Sequence, residues 1–185
     1  MDKFYLLLHY NLYVMNNISS KKYMIEFGLW TGITLVCFAI MLFFLDAHYE
    51  NSTSTQIINL LIQFSGITIA CLAFKKENNS NISWGEVRKI GTGISLIISL
   101  IAIIYTLLLV NIIEPDFMDK AIEISYYQTL EQYPEALANM NLNDYTETAK
   151  SFTWLTYPSI FFFTIVFGFI YSVILGLFIK SKNAN

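Results

Sequence analysis

Residues 91–113 read GTGISLIISLIAIIYTLLLVNII and carry no ionisable side chain other than that of Tyr105. An α-helix rises about 1.5 Å per residue, so this stretch is long enough to cross a hydrocarbon layer about 30 Å thick. Three further stretches have the same character, at residues 28–45, 57–74 and 157–179. The pattern predicts four transmembrane helices.

The overall composition agrees with this prediction. Charged residues make up 14% of the chain, against about 25% in a typical soluble domain. The mean hydropathy is +0.51. Because a lipid-exposed backbone must satisfy its own hydrogen bonds, helices are the expected spanning elements. We therefore predict an all-α membrane protein, a four-transmembrane-helix bundle.

The basic residues predict the orientation of the bundle. Nine of the 11 Lys and Arg residues precede the first span, lie between the second and third, or follow the fourth. They are Lys3, Lys21, Lys22, Lys75, Lys76, Arg88, Lys89, Lys180 and Lys182. Since short basic loops stay on the cytoplasmic side, both termini are predicted to be cytoplasmic. The basic face suits anionic lipid head groups, whereas no basic stretch is interleaved with aromatics as in a nucleic-acid site.

Residues 1–20 form an N-terminal extension ahead of a single membrane domain over residues 21–182. Residues 4–14, FYLLLHYNLYV, are a short apolar run. An interfacial helix is one interpretation, and a cleaved signal is another, although no small-residue cleavage site follows. A third is that translation starts later, at Met15 or Met24.

Each span carries small residues four positions apart, a spacing that lets helix backbones approach closely in a membrane. The helix-packing candidates are Gly28, Gly32, Gly66, Ala70, Gly91, Ser95, Ser99, Gly168, Ser172 and Gly176. Packing within one chain is the ordinary interpretation of such seams. A homodimer contact through one of them is the alternative.

The spans contain no Asp, Glu, Lys, Arg or His. This disfavours an ion-coupled transporter, which usually has ionisable groups at membrane depth. Gln63 is the polar residue most costly to bury, so we expect it to have a partner on another helix. Gln63, Thr68 and Asn111, together with Ser95 and Ser99, could alternatively line a polar path.

Residues 114–155 form a long segment between the third and fourth spans, predicted to be extracytoplasmic and amphipathic. Asp116 suits the start of a first helix, and Pro134 should end it. Residues 135–140 are a second helical candidate, and Asn143 is expected to cap a third. Helices lying on the outer surface of the bundle are one interpretation, and a cap that binds a partner is the other.

Two short motifs elsewhere have structural interpretations. Ser83 and Glu86 have the spacing of a capping box, which would begin the third helix ahead of the membrane. His48 lies between Asp46 and Glu50 in the loop after the first span, a set that we expect to be solvated rather than to bind a metal. We expect no metal site and no cofactor, since no nucleophile elbow, phosphate loop or paired-cysteine motif occurs.

Three motifs resemble one known family. They are residues 21–32, KKYMIEFGLWTG; residues 82–86, ISWGE, with Lys89-Ile90-Gly91 after them; and residues 114–118, EPDFM. They are similar to the bacterial membrane family of unknown function numbered 4199 (DUF4199), over about residues 21–180. The resemblance implies four helices in a bacterial inner membrane, with no established activity and no catalytic residues. About twenty extra N-terminal residues depart from it.

Three function hypotheses follow. The first is a non-enzymatic inner-membrane protein that acts through protein contacts, within the membrane or at its outer face. The second is a small oligomeric transporter or channel, which a polar cavity in the bundle would favour and a dry centre would disfavour. The third, a membrane-embedded enzyme, has little support from the residues present.

Overall fold

The computed structural model describes residues 18–49 and 52–181. This part of the chain contains six α-helices and no strand. The helices are α1 Ser20–Phe44, α2 Thr53–Glu77, α3 Trp84–Leu108, α4 Phe117–Gln132, α5 Leu142–Ser151 and α6 Thr156–Ile179. Helices α1, α2, α3 and α6 are long and apolar enough to cross a membrane, which confirms the predicted fold class. The predicted interfacial helix at residues 4–14 lies outside the described residues.

The four long helices run alternately up and down, which gives the bundle two distinct ends. The basic end carries the start of α1, the α2–α3 loop and the end of α6, with Lys21, Lys75, Lys76, Arg88, Lys89 and Lys180. The acidic end carries the α1–α2 loop and residues 114–155. Each long helix begins before its predicted apolar stretch, because polar residues continue the helix there.

Helix α3 is the centre of the bundle and packs against α1 on one side and α6 on the other. A Cβ atom on Gly28 of α1 would lie 2.9 Å from the Cβ of Ile97 on α3. A Cβ atom on Gly91 of α3 would likewise lie 2.8 Å from that of Ser172 on α6. These separations are too short for a side chain, so the small residues allow the backbones to approach.

The half of the bundle toward the basic end is filled by apolar side chains. The fully buried ones include Ile67, Phe74, Ile82, Val87, Ile90 and Ile94. The ring of Tyr23 on α1 packs edge-on against Phe74 of α2 at 5.3 Å. In this half, therefore, apolar side chains occupy most of the centre of the bundle.

Hydrogen bonds join the chain segments at the basic end. The predicted capping box is present, with Glu86 N donating to Ser83 Oγ at 3.2 Å and Ser83 N to Glu86 Oε2 at 2.7 Å. Ser181, just past α6, accepts from Ile82 N at 3.0 Å and donates to Ser80 O at 2.9 Å. The end of α6 is thus attached to the loop that begins α3.

At the acidic end, α3 ends in a wider π-helical turn over Leu109–Ile113, and residues 114–155 follow. Helix α4 ends at Gln132, just before Pro134, as predicted. The second helical candidate is a short 3-10 turn, Pro134–Leu137. The predicted cap of the third segment is wrong: Asn141, not Asn143, accepts from Asp144 N at 3.0 Å, because α5 begins one residue after Asn141.

Candidate functional site

A cluster of ionisable side chains joins three segments at the acidic end. Glu114, just after α3, accepts hydrogen bonds on both carboxylate oxygens. Lys120 Nζ of α4 lies 2.7 Å from Oε1, where the Tyr49 hydroxyl also donates. His48 Nε2 lies 3.0 Å from Oε2 and must donate, because a carboxylate only accepts. One carboxylate therefore ties the α1–α2 loop to the start of α4.

Aromatic rings enclose this cluster. The ring of His48 lies 4.9 Å from that of Phe43, 4.0 Å from that of Tyr49 and 5.8 Å from that of Phe117. The His48 side chain is only 9% exposed. The expectation that His48 is solvated is therefore wrong, since its partner Glu114 is 66 positions away in the chain. Among the described residues, no group of three His, Cys, Asp or Glu side chains could hold a metal ion.

The contacts change the acid–base properties of the cluster. The hydrogen bonds from Lys120 and then Tyr49 lower the pKa of Glu114 from 4.5 to about 2. The hydrogen bond to Glu114 raises the pKa of Lys120. Burial, and then the hydrogen bond to Glu114, raise the pKa of Tyr49. At neutral pH these shifts keep Glu114 charged and Lys120 and Tyr49 protonated, which are the states that form these hydrogen bonds.

A cavity of about 410 Å³ lies between α1, α2, α3 and α6. Its volume is within the range of roughly 300–1,000 Å³ that is usual for small-molecule sites. The lining residues are Gly32, Leu35, Val36, Ala39, Gln56, Asn59, Leu60, Gln63, Ile98, Ala102, Tyr105, Thr106, Phe163, Thr164 and Phe167. The cavity thus occupies the half of the bundle toward the acidic end.

A second cavity of about 330 Å³ lies between this space and the ionic cluster. Ala39, Gln56, Asn59 and Tyr105 line both cavities, so the two adjoin. His48 and Tyr49 form part of the wall nearest the acidic end. The cluster therefore stands over a pair of cavities that extend into the bundle.

Gln63 lies where the larger cavity meets the closed half of the bundle. Its Nε2 donates to Ser95 Oγ of α3 at 3.1 Å and to the Thr164 carbonyl of α6 at 3.0 Å. These are the partners on other helices that the cost of burying an amide predicts. Since both amide hydrogens are used, the Gln63 carbonyl oxygen is the group left to accept from an occupant of the cavity.

The other residues of the predicted polar path do not line this cavity. Thr68 shares a 2.6 Å hydrogen bond with the Tyr171 hydroxyl between α2 and α6. Asn111 is exposed and donates to Leu107 O of its own helix at 2.8 Å. Ser99 is buried and donates to Leu96 O at 2.7 Å. The structure thus places Gln63 at the cavity wall and in contact with Ser95, whereas Thr68 and Asn111 lie elsewhere.

Besides Gln63, the polar residues that line the cavity are Gln56 and Asn59 of α2, Tyr105 and Thr106 of α3, and Thr164 of α6. The sequence analysis did not single out Gln56, Asn59 or Tyr105. A signal for two of them exists, because Gln56, Asn59 and Gln63 are three and four residues apart and share one helix face. Tyr105 gives no comparable signal, since it lies alone in a long apolar run.

These features together define a multi-pass α-helical membrane protein with a mostly apolar cavity, lined by a few polar side chains, in one half of its bundle. A sequence model of the family described as "Protein of unknown function (DUF4199)" matches residues 26–181. The chain belongs to that family. No curated protein matches the chain, and no solved structure matches it.

Proposed function

We propose that this is a non-enzymatic protein of a bacterial inner membrane that acts by binding a basic protein partner at its acidic end. In this proposal both termini are cytoplasmic and residues 114–155 are extracytoplasmic. The charge difference between the two ends supports the orientation, because Lys and Arg of short loops remain in the cytoplasm.

The observation that carries the proposal is an exposed stripe on α4. Glu123, Tyr127 and Glu131 are four residues apart, so their side chains lie along one face of the helix. All three are exposed, and Tyr127 is 53% exposed. An aromatic ring between two carboxylates suits Arg or Lys, whose cations bind both kinds of group. The flanking carboxylates also argue that this ring faces water and not the hydrocarbon.

The acidic end holds this stripe in place. Tyr126, next to Tyr127, donates to Met140 O at 3.3 Å and packs against Tyr145 of α5 at 5.4 Å. Lys150 of α5 lies 2.8 Å from Asp119 of α4. The two basic residues of the segment, Lys120 and Lys150, are thus paired with acidic ones, which leaves the stripe with an uncompensated negative charge. Complementary charge of this kind gives specificity and fast association.

The ionic cluster supports a non-enzymatic role. A general acid or base works best with a pKa near the pH at which it operates. Glu114 has a pKa of about 2 and is hydrogen-bonded on both oxygens. Its contacts are those of a residue that holds segments together.

The experiment is to extract the protein in native lipid particles and identify what co-purifies by mass spectrometry. We expect a stoichiometric protein with a Lys- or Arg-rich segment, and binding that weakens as salt is raised. The double variant Glu123→Lys, Glu131→Lys should lose this partner. The matched control Glu135→Lys, Glu147→Lys makes the same change of charge at exposed positions of the same end, outside the stripe. Equal retention of the partner by both double variants would contradict the proposal.

A small oligomeric transporter or channel is the second candidate, and the cavity walled by all four long helices favours it. The apolar side chains that fill the basic half count against a continuous path. A homo-oligomer that carries only lipid or a small solute out of the native particles would place this candidate first.

A further inference from the structure

We propose that the larger cavity binds one neutral amphiphile of the membrane, a molecule with a small uncharged head group and an apolar chain. This inference does not depend on the protein partner proposed above. It rests on the polar groups in the cavity that lack partners, on the apolar character of the remaining wall and on the closed end of the bundle.

The first observation is a set of unused hydrogen-bonding groups at membrane depth. The Asn59 amide and the Tyr105 hydroxyl line the cavity, and neither has a hydrogen-bond partner among the residues that the structure describes. The Gln63 carbonyl oxygen also has no hydrogen-bond partner among these residues. Within a bilayer such groups are costly unless something satisfies them. Together they offer donors and acceptors to a head group that contains both, such as a hydroxyl-rich one.

The second observation is the depth of these groups. Helix α2 begins at Thr53, so Gln63 lies about 15 Å along the helix, near the middle of its 25 residues. Asn59 lies one turn closer to the acidic end. A head group would therefore sit below the membrane surface. Such a position suits a small uncharged head group, because an ionised one is expensive to bury there.

The third observation is the absence of charge from the wall. Among the residues that the structure describes, the side chains that line the larger cavity include no Asp, Glu, Lys, Arg or His. The adjoining cavity leads to the ionic cluster, where Glu114 is already paired with Lys120 at 2.7 Å. An anionic head group would find no cation among the described residues of the wall, which disfavours the phosphate of an ordinary phospholipid as the occupant.

The fourth observation concerns access. Phe163 and Phe167 of α6 line the cavity and are 54% and 44% exposed, so they also face the surrounding lipid. The apolar surface of these two rings offers an acyl chain a path from the membrane into the cavity. Toward the basic end, Gln63, Ser95 and the buried isoleucines close the space. The cavity is therefore closed toward the basic end, as in a binding site rather than a continuous path.

The test uses two probes that differ by one phosphate. Native mass spectrometry of the purified full chain is titrated with monooleoylglycerol and with oleoyl lysophosphatidic acid. We expect one saturable site for monooleoylglycerol, with at least tenfold tighter binding than for the phosphate-bearing probe. No saturable binding, or equal binding of both probes, would overturn the proposal.

Matched variants locate the site. Asn59→Leu removes a cavity amide and should weaken monooleoylglycerol binding about tenfold. Asn111→Leu makes the same change at a residue that is exposed, as Asn59 is, but does not line the cavity, and it should have no effect. Ala39→Phe fills the space shared by both cavities and should abolish binding. Cys37→Phe, an exposed position of the same helix, is its control. Each variant is first checked by gel filtration and thermal unfolding. Unchanged binding in a folded Asn59→Leu or Ala39→Phe variant would contradict the assignment.

Discussion

Gly168 of α6 faces Ser95 of α3 so closely that a Cβ atom on the glycine would stand 2.7 Å from the serine Cβ. The Ser95 hydroxyl donates to the Gly91 carbonyl of its own helix at 2.9 Å and accepts from Gln63 at 3.1 Å. Close packing and the buried polar contact of three helices therefore meet at one point. The stability of the bundle should therefore depend separately on side-chain volume at Gly168 and on the hydrogen bonds of Gln63.

The change Gly168→Ala tests the close packing. The added methyl group would force α3 and α6 apart, and overpacking of this kind typically costs about 1–3 kcal/mol. We expect a lower thermal unfolding temperature in detergent. Gly85→Ala is the control, since the nearest described atom to its new Cβ is 3.9 Å away, and it should leave stability unchanged or slightly raised. An undiminished unfolding temperature for Gly168→Ala would contradict the role of this contact.

The change Gln63→Met tests the hydrogen bonding at nearly constant side-chain length. It removes two interhelical hydrogen bonds, and bonds of this type in membrane proteins contribute roughly 0.6–2 kcal/mol each. Since two bonds are lost, we expect a loss of unfolding free energy of roughly 1–4 kcal/mol, and less than additive loss when Gln63→Met is combined with Ser95→Ala. Gln128→Met, at an exposed position of α4, should be neutral. Full additivity would show that Gln63 and Ser95 do not interact.

The change Glu114→Gln tests the attachment of α4 to the α1–α2 loop. Because the pKa of Glu114 is lowered from 4.5 to about 2 in the folded protein, the carboxylate stabilises the fold above pH 4.5. This stabilisation should decline as the pH falls below 4.5 and be lost near pH 2. The protection factors of residues 114–120, which correct for the pH dependence of intrinsic amide exchange, should fall over that range in the wild type, and should be low and less dependent on pH in Glu114→Gln. The same loss of protection at acidic pH in the variant as in the wild type would contradict this assignment; Glu123→Gln is the control.

The change Ser181→Ala tests the contact between the end of α6 and the start of α3. It removes the acceptor for Ile82 N and the donor to Ser80 O, while the Ser181 N–H can still donate to the Ile82 carbonyl at 2.9 Å. We expect faster hydrogen exchange at the Ile82 amide with little change in the centre of α3. Ser65→Ala, at an exposed position of α2, should not alter exchange at Ile82. Protection of Ile82 that survives Ser181→Ala would exclude the serine as its partner.

Several local features were predictable from sequence because each depends on neighbouring residues. Long runs without charge predict the four spanning helices, and the spacing of Ser83 and Glu86 predicts the capping box. Pro134 ends α4 because it lacks an amide hydrogen to continue the helix. The need of Gln63 for a partner also follows from its position in an apolar run, although the identity of that partner does not.

The site depends on contacts that join distant parts of the chain. His48 and Glu114 are 66 positions apart, and Gln63 bonds to the carbonyl of Thr164, 101 positions away. Thr68 and Asn111 have the same polar character as Asn59, yet only Asn59 faces the cavity. Hydrophobicity determines that a helix spans the membrane, because the free energy of transfer into the membrane depends on the composition of the helix. Which face turns inward is decided by close packing at positions such as Gly168 and Ser95, which exists only once the helices have assembled.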